Sequence, residues 1–165
     1  MANYAIVRTD LMSGTTDPAL LVSVKYRPSG TDTAIENGNV VLVGALISGE
    51  REVYAASTPA ANSPLSSIAI IATPEVMVDE RKKNLNEFRN EAGEISRGYY
   101  TNSKNVFSVT AEGVTPIDGT APAVGQIVEL QAGTKLKLVA TLTSGSTQVG
   151  TVIAIEGIYI VIRVA

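Results

Sequence analysis

The side chains that most often do chemistry are missing from this chain. Its 165 residues contain no histidine and no cysteine. Without imidazole, the commonest general base and the commonest metal ligand are both lost. Without thiols there is no disulfide, no thiolate nucleophile and no thiolate metal site. Serine and threonine are plentiful, but no histidine is present to activate one. Carboxylates remain. Glu91 and Glu94 stand three residues apart, and Asp79-Glu80 lie upstream of them. On a helix, Glu91 and Glu94 would share a face and could hold a cation or act as an acid pair. The bland reading fits the run better: acidic residues near a helix start offset the macrodipole, and a charged face keeps a helix wet.

Three further sequence signals are weaker. Arg81-Lys82-Lys83 is the one basic cluster, and Asp79, Glu80, Glu87 and Glu91 surround it. With a net charge of -3, the chain offers no basic patch, so nucleic acid is not expected as a partner. Gly145-x-x-x-x-Gly150-Thr151 has part of a phosphate-loop spacing but lacks the lysine that reaches the phosphates. Lysine, asparagine and glutamate buried together in a β-sandwich can form an isopeptide cross-link. The residue types are present, and no spacing marks a particular trio. No catalytic residue, metal ligand or cofactor site is assigned, and the chain is expected not to be an enzyme.

The elements that would position these residues are mostly strands. Leu20 to Tyr26 alternates Leu20, Val22, Val24 and Tyr26 against Leu21, Ser23 and Lys25, the period of a strand. Asn37-Gly38 is a strong turn signal. Asn39 to Ile47 and Ile68 to Ala72 are apolar runs of strand length. Further strands are expected at Tyr4 to Arg8, Glu50 to Tyr54 and Val106 to Val109. Ile127 to Leu130, Lys135 to Leu142, Thr151 to Ile155 and Ile158 to Val164 complete the set. Ser48-Gly49, Ala132-Gly133, Ser144-Gly145 and Glu156-Gly157 separate several of them. With two phenylalanines and no tryptophan, the core must be built from Val, Ile, Leu and Ala.

One segment breaks the pattern. Asp79 through Arg97 is the most charged stretch, and Val78 just before it with Leu85, Phe88 and Ala92 inside it fall at spacings of seven, three and four. That spacing predicts an amphipathic helix over residues 79–92, ended by Gly93 in the left-handed conformation. The expected fold is therefore mainly β, an antiparallel barrel or sandwich, with one helix. A single domain over 1–165 is expected. A faint echo between Gly38-Asn39-Val40-Val41 and Gly125-Gln126-Ile127-Val128 raises a second option: two related β halves, about 36–72 and 124–165, flanking the helix. The plainer alternative is that strand–turn–strand segments resemble one another. No charged leader with an apolar run follows Met1, and no apolar run approaches 18 residues, so synthesis in a cytoplasm and no membrane span are expected.

Several of these segments resemble small virion proteins of tailed bacteriophages. The opening, Asn3-Tyr4-Ala5-Ile6-Val7-Arg8-Thr9-Asp10-x-Met12-Ser13-Gly14-Thr15, is similar to the start of such proteins in phages of Gram-positive hosts. Pro74-Glu75-Val76-Met77 with Asp79-Glu80-Arg81-Lys82-Lys83-Asn84-Leu85, and Asn90-Glu91-Ala92-Gly93 behind it, is similar too. Val124-Gly125-Gln126-Ile127-Val128 through Val149-Gly150-x-Val152-Ile153 resembles the rhythm of capsid decoration, or cement, proteins. The resemblance implies a non-enzymatic head decoration or head-fibre protein. It would bind the outer surface of the assembled capsid, on the lattice of the major capsid protein, as an oligomer and most often a trimer. It brings no catalytic residues. The alternatives are a tail or connector protein of the same virion, a bacterial surface or pilin-like β module, and a carboxylate-based hydrolase acting on glycan.

The C-terminal run Ile158-Tyr159-Ile160-Val161-Ile162-Arg163-Val164 sends apolar side chains to both faces, as a strand covered on both sides does. Left at a sheet edge it would invite aggregation. Either the fold buries it centrally or a neighbouring subunit covers it. Ile158, Ile160 and Ile162, with Leu85 and Phe88 of the expected helix, are the candidate interface residues.

Overall fold

The computed structural model describes residues 3–13, 17–79 and 84–165. It is built from two β units that share a core. Five strands make a closed barrel: β1 (Leu21–Tyr26), β2 (Val40–Leu46), β3 (Val53–Ser57), β4 (Ile68–Ile71) and β5 (Ser96–Tyr100). Their order around the barrel is β1-β3-β2-β4-β5, and β5 returns to pair with β1. Within the barrel, the β1–β3 pair alone is parallel. The remaining strands are β6 (Val106–Thr110), β7 (Val114–Thr115), β8 (Ile127–Glu129), β9 (Leu136–Val139), β10 (Gln148–Glu156) and β11 (Tyr159–Val164). They form a six-stranded half-barrel sheet in the order β6-β11-β10-β8-β9-β7.

The apolar runs of β2 and β4 follow from where these strands lie. Val41, Ala69 and Ile71 face a small core inside the barrel with Val22, Val24, Ile35 and Ala56. Val40, Ile68 and Ile70 face the other way and join Phe107, Val109, Val128, Leu136, Leu138, Ile160 and Ile162 in the larger core. A strand buried on both faces needs apolar residues at consecutive positions. β2 and β4 are thus the wall that the two units have in common.

β11 is also interior. It pairs with β6 on one side and β10 on the other, so its hydrogen-bonding groups are used within the chain. Of the two fates open to the C-terminal run, central burial is the one seen. The free edge of β6 is covered by the N-terminal segment. Thr110 N–H donates to Ile6 O at 3.0 Å, Arg8 N–H to Ser108 O at 3.1 Å and Ser13 N–H to Val106 O at 2.9 Å. The other edge, β7, is only two residues long. Both are ways of blunting an edge. Gly38 is required where the barrel meets this sheet: its φ is +80°, and a Cβ there would sit 2.5 Å from Val109 Cγ2.

The expected helix over residues 79–92 is absent. No described helix reaches seven residues, and none is long and apolar enough to cross a membrane. Residues 80–83 lie outside the described part. From Asn84 onward the chain makes one 3-10 turn, Leu85–Glu87, and then extends. The hydrogen bonds show why. A helix would direct Asn90 N–H to Asn86 O. Instead Asn90 N–H donates to Ile35 O at 2.9 Å, Ile35 N–H donates to Asn90 O at 2.9 Å, and Asn86 O accepts from Tyr4 N–H at 2.9 Å. The Asn90 side chain is buried and donates to Ile35 O at 3.1 Å and Asn37 Oδ1 at 3.3 Å. Asn37 in turn accepts from Thr73 N–H at 3.0 Å and donates to Thr73 O at 2.8 Å. Buried amides demand partners, and this network straps the segment across the barrel. Four sparsely spaced apolar residues do not compete with it: Val78 and Leu85 are exposed. Gly93 does adopt the left-handed conformation, at φ +85°, but in a turn where Glu94 N–H meets Glu91 O at 3.1 Å.

The two segments of the echo, residues 38–41 and 125–128, each include the start of a strand. Gly38 and Gly125 both have positive φ and lead into β2 and β8. The surrounding pairings differ, since β2 pairs with β3 and β4 whereas β8 pairs with β9 and β10.

Candidate functional site

The candidate interface residues fall in three environments. Ile158 is at the tip of the β10–β11 hairpin, 65% exposed, beside the turn glycine Gly157. Ile160 is 2% exposed, and Ile162 is wholly buried in the shared core and presents no surface. Phe88 is partly buried, and Leu85 is 48% exposed on the strap. Ile158 precedes β11 and lies in the hairpin turn past the sheet, whereas Ile160 lies within the strand and meets the core.

What the structure adds is a groove around that tip. About 420 Å³ in volume, it is lined by Ile6, Asn86, Ala121, Pro122, Ile155, Ile158 and Ile160. Ile155 is 42% exposed, and Ile153 on the same strand is also exposed. The β10–β11 register shifts between Val152 and Ala154. Such a bulge re-aims the following side chains, here Ala154 and Ile155 ahead of the hairpin. The loop containing Ala121 and Pro122 and the N-terminal segment complete the walls. An apolar depression with an isoleucine at its rim suits contact with another protein surface.

The sequence-level chemical candidates are accounted for by structure. Arg89 donates from Nε to Glu91 Oε1 at 3.0 Å and pairs through Nη2 with Glu91 Oε2 at 2.9 Å; it also lies over the Tyr4 ring at 5.5 Å. Glu94 Oε2 accepts from Glu91 N–H at 2.7 Å and so closes the turn at Gly93. The two glutamates therefore have structural partners. Asp79 is described, whereas Glu80 and Arg81-Lys82-Lys83 lie outside the described residues. Among the described residues, no group of three or more acidic side chains is placed to hold a metal. Gly150 and Thr151 sit within strand β10, not in a loop leading into a helix.

The buried carboxylate that sequence reasoning missed is Glu129, 1% exposed on β8. Its Oε2 accepts from Thr143 N–H at 2.8 Å, its Oε1 accepts from the Thr143 hydroxyl at 2.8 Å, and Lys137 Nζ lies 3.4 Å from Oε1. Burial acts to raise its pKa, but the Thr143 bonds and Lys137 together outweigh that and hold it below the ordinary carboxylate value. This is a tie between β8, β9 and the following loop, with threonine where an isopeptide cross-link would need asparagine. A second cavity, about 190 Å³, collects Glu36, Asn39 and Lys135. No hydrogen bond or ion pair joins Lys135 to either one, so the cross-link has no assembled site there.

The fold and the apolar groove define a β-barrel joined to a half-barrel sheet, with one hairpin presenting isoleucine. No protein-family model, no curated protein and no solved structure matches this chain.

Proposed function

We propose that this chain is a non-enzymatic head decoration protein of a tailed bacteriophage. In this reading it is made in the host cytoplasm and binds the outside of the assembled capsid, on the major capsid protein lattice. The family resemblance of residues 3–15, 74–93 and 124–153 supplies the class of partner and the trimeric state. The observation that carries the contact is the apolar groove with exposed Ile155 and Ile158 at its rim. A few apolar contacts per copy suffice on a repeating surface, because linked sites gain avidity without strong individual contacts.

Cryo-microscopy of the particle tests this reading. The expected result is density for a barrel and half-barrel on the outer face of the head, with the β10–β11 hairpin turned toward the shell. Absence from the head overturns it. Rings or tubes formed by the purified protein, with density in the tail or connector, would instead establish the alternative virion role. A surface or pilin-like module would be recovered from the bacterial envelope rather than the particle.

A further inference from the structure

Closure of the barrel brings together four side chains that are far apart in sequence. Arg51 and Tyr54 belong to the β2–β3 connection and β3, whereas Arg97 and Tyr100 belong to β5. Both strands flank β1, and Ser23 is opposite Val53 on one side and Arg97 on the other. The four residues, with Leu21, Val22, Ser23 and Glu52, line a groove of about 550 Å³. That is within the usual size of a small-molecule site, roughly 300–1,000 Å³. Burial first, and the neighbouring Tyr54 second, push the Tyr100 hydroxyl pKa up, which is consistent with two phenols converging there.

Three of the described arginines are ion-paired. Arg8 pairs with Asp10, Arg27 with Asp32 and Arg89 with Glu91. Arg51 and Arg97, like Arg163, have no carboxylate partner among the described residues, although the chain carries more acids than bases, and of these three Arg51 and Arg97 line the groove. A guanidinium fork takes a carboxylate or phosphate through two parallel hydrogen bonds. Tyrosine offers a flat apolar face that covers the C–H side of a sugar ring, and a hydroxyl at its tip. The Ser23 hydroxyl and the Glu52 carboxylate supply partners for sugar hydroxyls.

We propose that this groove binds an anionic saccharide, a pyranose ring carrying a carboxylate or a phosphate. The assignment stands apart from the capsid reading and uses a different part of the surface. The full-length protein is titrated by NMR with glucuronate, glucose 6-phosphate, glucose and inorganic phosphate. At least one charged sugar is expected to bind about tenfold more tightly than both glucose and inorganic phosphate, since only it engages rings and guanidinium groups together. The preferred charged sugar then distinguishes carboxylate from phosphate. The double variant Arg51→Gln/Arg97→Gln is expected to reduce the affinity for that sugar to the level of glucose. Tyr54→Ala is expected to weaken both charged and neutral sugars. All three substituted residues are exposed, and an unchanged melting temperature confirms the fold. The proposal is overturned if neither charged sugar saturates, if inorganic phosphate binds as tightly as both charged sugars, or if the double variant retains wild-type affinity.

Discussion

The closed barrel and the six-stranded sheet solve the same problem in different ways. The barrel uses up its own edges: β5 returns to β1, and no strand is left to be covered. Its interior is narrow enough to be filled by Val22, Val24, Val41, Ala56, Ala69 and Ile71. The sheet stays open. It depends on the N-terminal segment along β6, on a very short β7, and on the barrel's outer wall to complete its core. Their surfaces differ accordingly. The barrel shows a groove of arginine and tyrosine, and the sheet shows an apolar hairpin. The lesson is that closure makes a unit self-contained for hydrogen bonds without making it self-contained for packing.

The largest test of that comparison is in the shared core. Phe107→Ala on β6 should destabilise the protein by about 3–5 kcal/mol, as large-to-small changes at buried aromatics do. Because the core is common, chemical denaturation of the variant should show barrel and sheet probes melting together. Two separated transitions would mean that the barrel stands alone. Next comes the strap. Asn90→Ala removes both side-chain bonds of a buried amide and leaves Asn37 short of a donor, a loss of about 2–3 kcal/mol. A loss under half of that would show that the network does not hold the strap.

The sheet also carries a pH dependence, set by Glu129 on β8. Glu129 has its folded pKa held below the ordinary 4.5, so its contribution is fully present above that value. It is lost as pH falls through the lower folded value. Wild-type melting temperature should drop on acidification below about pH 4.5, and Glu129→Gln should flatten that part of the profile. Between pH 6 and 8 the melting temperature should stay level, since neither histidine nor cysteine is present. The smallest effect is expected at Leu85→Asp. An exposed position on the strap should change stability by no more than about 0.5 kcal/mol, whereas a helix packed on the sheet would lose several times that. Thermal denaturation of this variant separates the two pictures.

These outcomes trace what sequence could and could not reveal. β4, β11 and the start of β2 were legible because burial on both faces forces consecutive apolar residues. Gly38, Gly49, Gly145 and Gly157 were legible as turns, and all have positive φ. The strap was misread because periodicity registers spacing alone. The competing pull of Asn90 toward Ile35 comes from 55 residues away. β5 went unread for a related reason. Ser96-Arg97-Gly98-Tyr99-Tyr100 has no clear alternation, and its Gly98 is fitted to Val22, against whose Cγ1 a Cβ would lie at 3.0 Å. The arginine–tyrosine groove draws on three strands, so it exists only once the barrel has closed. Of the interface candidates, Ile158 was separable from Ile160 and Ile162 only by knowing where the hairpin turns.

The functional claim rests on the apolar hairpin, and one measurement addresses it directly. Purified protein is mixed with empty capsids of the phage that encodes it and sedimented, alongside the Ile155→Asp/Ile158→Asp variant. The account predicts that wild type pellets with the capsids at a fixed ratio to the shell protein, and that the folded variant stays in the supernatant. Wild-type protein remaining in the supernatant, or a variant that pellets as well as wild type, would contradict it.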